Sequence, residues 1–159
     1  MMSARDEDQT LEGVVVLAGQ DHGLDWKVLA HWYRLSDHVE EQELMTMLYG
    51  FDGPRRVFGS GMGGPALHPG QLIHEWRGRT DQWPYFVMAR TDPMVDSVVA
   101  VSDRGTEVQL RLSAVVPEFG LRFAAAGLPG GEAPNRLLIQ IKGETVADLH
   151  RPMHDMFPF

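Results

Sequence analysis

Apolar positions along this chain recur with a period of two, and that alternation predicts strands. Val14, Val15, Val16 and Leu17 form a β-branched run closed by Gly19. Trp26, Val28, Ala30 and Trp32 then alternate with Lys27, Leu29, His31 and Tyr33. The two runs predict a hairpin joined by a turn containing Gly23. Periodicity does not decide segment 44–49, which reads as a strand or as one helical turn, ended by Gly50, Gly53 and Pro54. Val57-Phe58 predicts a short strand at most. Residues 59–70 carry Gly59, Gly61, Gly63, Gly64 and Gly70 with Pro65 and Pro69, and predict a long Gly-rich loop.

The alternation strengthens downstream. Residues 72–76 predict one strand. Residues 83–90 predict another, apolar on both faces (Trp83, Tyr85, Val87 and Ala89 against Phe86 and Met88), as a central strand requires. Residues 95–101 and 107–112 flank the turn Asp103-Arg104-Gly105 and predict a hairpin. Residues 119–123 alternate again. Residues 137–141 and 145–149 flank Lys142-Gly143-Glu144 as a final hairpin. No window sustains a 3.6 period. Short strands with turn signals every 8–12 residues or so predict an all-β fold, an antiparallel sandwich rather than a barrel. The organisation expected is an acidic arm over 1–12, a β-sandwich domain over 13–149 and an extended tail over 150–159.

Composition narrows the classes. The chain has 159 residues, 43% of them hydrophobic and 23% charged, which suits one globular domain. A net charge of −8 opposes binding to a phosphate backbone, although Arg55, Arg56, Arg77 and Arg79 are candidates for a local basic patch. The absence of cysteine removes disulfides, thiol nucleophiles and Cys-based zinc sites. No apolar run approaches a membrane span of about 20 residues, and the first 13 residues lack the apolar core of a secretory signal. These features lead to the expectation of a cytoplasmic protein that engages neither nucleic acid nor membrane.

One resemblance follows from particular residues. Ala89-Arg90-Thr91-Asp92-Pro93, Val95, residues 98–101, the 103–105 turn, Phe123-Ala124 and the hairpin around Gly143 resemble small immunoglobulin-like β-sandwich domains of bacterial proteins. Residues 16–33 are similar to the opening hairpin of such domains. The resemblance covers most of residues 13–149. It implies an immunoglobulin-like fold and assigns no catalytic residue. The paired cysteines of antibody domains are missing.

Candidate chemistry is sparse. The segment from Gly59 to Pro65 lacks the Lys-Ser/Thr pair of a phosphate loop, and Ser60 lacks the flanking glycines of a nucleophile elbow. None of the seven histidines has a metal-ligand spacing, although His and Asp from separate strands can converge on an ion. His150 and His154 beside Met153 and Met156 would suit copper(I), but Pro152 breaks the helix that would present them together. No catalytic residue, metal site or cofactor is therefore assigned. The C-terminal segment instead offers apolar anchors, either for a partner or for the domain's own core. Met153, Met156, Phe157 and Phe159, with Met62 in the Gly-rich segment, are the candidate partner-binding residues. The function expected is a non-enzymatic protein–protein interaction module, an accessory subunit or adaptor, with homodimerisation through exposed sheet edges as one form. The alternative is a small-ligand or carbohydrate binder using Trp26, Trp32, Trp76 and Trp83 as a stacking surface.

Overall fold

Two tight turns set the handedness of the outer hairpins. His22-Gly23 and Lys142-Gly143 both take positive φ (53° and 82°, 53° and 79°), the geometry of a two-residue type I′ turn. They join β1 (Val14–Asp21) to β2 (Leu24–Tyr33) and β11 (Pro134–Ile141) to β12 (Glu144–His150). The computed structural model describes residues 11–80 and 82–151, and among these it contains strands and no helix. The remaining strands are β3 (Glu43–Asp52), β4 (Arg55–Met62), β5 (Ile73–Gly78), β6 (Phe86–Thr91), β7 (Ser97–Ser102), β8 (Glu107–Gln109), β9 (Arg111–Leu112) and β10 (Arg122–Gly127).

Three open, four-stranded antiparallel sheets result. The first runs β1-β2-β3-β4, the second β5-β6-β10-β9 and the third β12-β11-β7-β8. The second sheet lies in the middle, because its strands feed two separate cores. Phe86, Met88, Phe123 and Ala125 pack with Trp26, Val28, Leu44, Leu48 and Phe58 of the first sheet. Val87, Ala89, Ala124 and Ala126 pack with Val98, Ala100, Leu137 and Ile139 of the third. Every residue of β6 is buried, as the doubly apolar pattern of 83–90 predicts.

The structure decides one open sequence-based reading and changes two expectations. Residues 44–49 are strand, within β3. Residues 59–62 belong to β4, so the Gly-rich loop begins only at Gly63. The glycines there serve sheet packing. Gly59 pairs with Tyr49 and Gly61 with Met47 across the β3–β4 ladder. A Cβ at Gly59 would lie 3.0 Å from the Tyr49 ring, and one at Gly61 would lie 2.1 Å from the Met47 sulfur. Large side chains of β3 thus lie over a glycine floor on β4. The predicted strand 107–112 is split: β8 pairs with β7 in the third sheet and β9 with β10 in the middle sheet. Leu110 sits between them, 3% exposed, where the strand passes from one layer to the next.

Two buried arginines fasten the layers. Arg90 of β6 points towards the first sheet and donates to the carbonyls of Leu44 (2.8 Å), Gly63 (3.0 Å), Pro65 (2.8 Å) and Ala66 (2.9 Å), and to Thr46 Oγ1 (2.9 Å). Arg77 of β5 points towards the third sheet and donates to the carbonyls of Pro134 (2.9 Å), Asn135 (3.0 Å) and Leu149 (2.9 Å). A guanidinium suits this task because its donors fan out in one plane and can satisfy several carbonyls together.

Candidate functional site: a cleft between two sheet edges

β5 ends the middle sheet and β12 ends the third, and a cleft of about 490 Å³ opens between them. Leu72, Ile73, Ala147 and Leu149 supply its apolar surface; His74, Glu75 and Arg151 are its ionisable groups. The walls are fixed from inside. Glu75 accepts from Arg77 Nε through one oxygen (3.0 Å) and from Arg151 Nη2 through the other (3.1 Å). Arg77 in turn holds the backbone of β11 and β12. Asp92 N–H donates to the Leu72 carbonyl at 2.9 Å. Antiparallel alternation then turns the backbone groups of Ile73 and Glu75 away from β6, towards the open edge.

The floor of the cleft is also braced from the other side of β5. His74 Nδ1 lies 2.9 Å from Arg90 Nη2. Arg90 can only donate, so this nitrogen is the acceptor and carries no proton. Burial, reinforced by the Arg90 charge, holds the His74 pKa below its usual 6.5, while Glu75 and the Pro65 carbonyl pull the other way. Burial lowers the Arg90 pKa to about 10, against the opposing pull of Tyr33 and Glu43, so the side chain keeps its charge at neutral pH.

A second, more polar cleft of about 440 Å³ lies at the opposite edge of the middle sheet. Gln20, Asp21, Trp26, Gln109, Arg111, Ala125 and Ala126 line it. Asp21 Oδ2 accepts from the Trp26 indole N–H (2.8 Å) and from the Gly127 amide (3.1 Å).

The residues singled out in the sequence are dispersed. Met62 is 9% exposed and packs in the core between the first and middle sheets, so it offers no partner surface. Its place in a Gly-rich segment suggested a loop, but β4 turns it inward. Met153, Met156, Phe157 and Phe159 lie outside the described residues. The four tryptophans share no open stacking face. Trp26 is 1% exposed. Trp32, Trp76 and Trp83 are half-buried against the same core as Trp26, and Trp32 contacts Phe119 at 5.6 Å between ring centroids. The suggested Arg patch is also divided, since Arg77 is 2% exposed and tied to backbone. Among the described residues, no three His, Asp or Glu side chains are grouped to hold a metal ion. No helix among them is long and apolar enough to cross a membrane.

Sequence reasoning missed Arg90, Glu75 and the two clefts. Arg90 left a signal, a lone charge continuing the apolar face of Phe86 and Met88. The clefts left none, because residues far apart in the chain build each of them. No family model, no curated protein and no solved structure matches this chain.

Proposed function

We propose that this protein is a non-enzymatic protein-interaction module that receives an extended segment of a partner along the free edge of β5. The cleft between β5 and β12 carries this reading. Edge backbone of β5 that is unpaired among the described residues supplies a hydrogen-bonding ladder for an added strand, and Leu72, Ile73, Ala147 and Leu149 supply pockets for alternate side chains. The ionisable groups beside it already have partners within the domain: Glu75 is held by two arginines and His74 by Arg90. The occupant is therefore an uncharged, apolar stretch. The hydroxyl–carboxylate contacts elsewhere suit a structural role. Ser102 and Thr106 donate to Glu132 (2.7 and 2.6 Å), while Ser102 also accepts from the backbone of its own turn. The immunoglobulin-like relationship belongs to the same proposal. It covers most of residues 13–149, and antiparallel sheets that face each other across apolar cores support it.

A displayed library of extended peptides tests the proposal. The protein should enrich sequences with apolar residues at every second position, and N-methylation of alternate amides should abolish binding. Ala147→Arg should block capture while leaving the thermal unfolding midpoint within a few degrees. Failure to enrich any peptide, or equal capture by Ala147→Arg, would overturn it.

A further inference from the structure

We infer that the polar cleft at the other edge of the middle sheet binds a small polyhydroxylated carboxylate, of the hexuronate class. This site is independent of the peptide cleft. It exists because β9 is only two residues long and pairs with Ala124 and Ala125 alone. Among the described residues the edge of β10 from Ala126 onwards has no strand neighbour, and the Asp21 carboxylate takes the Gly127 amide instead. One Asp21 oxygen, Oδ2, holds both the Gly127 amide and the Trp26 indole, which leaves Oδ1 as an acceptor.

The lining decides the ligand. Gln20 and Gln109 lie at the cleft, and a side-chain amide both gives and takes hydrogen bonds as hydroxyls do; Gln109 Nε2 donates to Ser97 Oγ (3.4 Å) and keeps a second hydrogen and its carbonyl oxygen. Arg111 is exposed, makes no ion pair among the described residues, and offers the fork that a carboxylate engages through two oxygens. β10 borders the cleft at Ala125 and Ala126, and about 440 Å³ accommodates a single sugar ring. A phosphate ester suits the site less well. Its second negative charge would face Asp21 with one arginine to balance both.

The Trp26 indole N–H and the Gly127 amide report directly on Asp21, so ¹H–¹⁵N correlation spectra of the full chain can follow binding. D-glucuronate should shift both signals saturably. D-glucose, which lacks the carboxylate, should bind more weakly by roughly tenfold or more, the worth of one charge-assisted pair. Arg111→Gln should lower glucuronate affinity to the level of glucose while leaving signals from the rest of the domain in place. The inference fails if glucuronate moves neither signal, if glucose binds as well as glucuronate, or if Arg111→Gln binds glucuronate undiminished.

Discussion

At the scale of single residues, Arg90 and His74 form a joint beneath the cleft between β5 and β12. Arg90 gathers carbonyls from Leu44 and from the 63–66 segment, and His74 Nδ1 shares the Nη2 hydrogens with that segment. Protonated His74 would lose that bond and set a second positive charge beside the guanidinium. Arg90, Glu75, His68 and the Pro65 carbonyl are the groups that act on it, and their balance together with burial lowers its pKa. The folded protein therefore binds this proton less readily than the unfolded chain. Stability from this group is complete above about pH 6.5 and falls as pH drops from there towards the lower folded value. Urea titrations between pH 7.5 and 5 should show a declining midpoint, and His74→Gln, which still accepts from Arg90, should flatten that decline. An unchanged slope in the variant would remove His74 as its source.

At the scale of elements, glycines opposite large side chains set how the sheets pack. In the first sheet Gly19, Trp26, Gly50 and Phe58 stand in one cross-strand row. The facing row of the middle sheet is Gly78, Phe86 and Gly127. Phe58 and Phe86 meet between the rows at 5.1 Å. A Cβ at Gly50 would come within 2.2 Å of the Phe58 ring, which is confined in the core. A Cβ at Gly59 would meet only the half-buried Tyr49 ring, at 3.0 Å. Gly50→Ala should therefore cost about 1–3 kcal/mol as an overpacked core site. Gly59→Ala should cost far less, since Tyr49 can shift and alanine restricts the unfolded chain. Equilibrium denaturation of both variants checks the order, and equal losses would refute the glycine–aromatic packing argument. The sequence showed these glycines without revealing their role. Turn glycines such as Gly23 stand beside polar neighbours, but only register shows that Gly59 and Gly61 lie opposite Tyr49 and Met47.

At the scale of the whole molecule, the middle sheet belongs to both cores, and Arg77 and Arg90 tie it to the outer layers. Opening either interface exposes one face of the middle sheet and leaves the other packed. Amides of β6 and β10 should therefore exchange most slowly with solvent, while β1, β9 and β12, which end their sheets, should exchange first. Native-state hydrogen exchange followed residue by residue tests this. Protection greatest in β2 and β3 would show that the first sheet, rather than the middle one, holds the fold together.

The sequence alone determined that the chain is built of strands. Alternation at 25–35, the doubly apolar run at 83–90 and the Gly turns at 23, 105 and 143 encode local geometry that neighbours along the chain can express. It also placed β6 at the centre, since a strand apolar on both faces needs cover on both. Tertiary structure decided that there are three layers, that Met62 and Trp26 turn inward, and that Arg77 and Arg90 are fasteners. It also created both clefts. Each depends on which strands end a sheet, and edges arise from pairing between segments tens of residues apart, which no local pattern of side chains records.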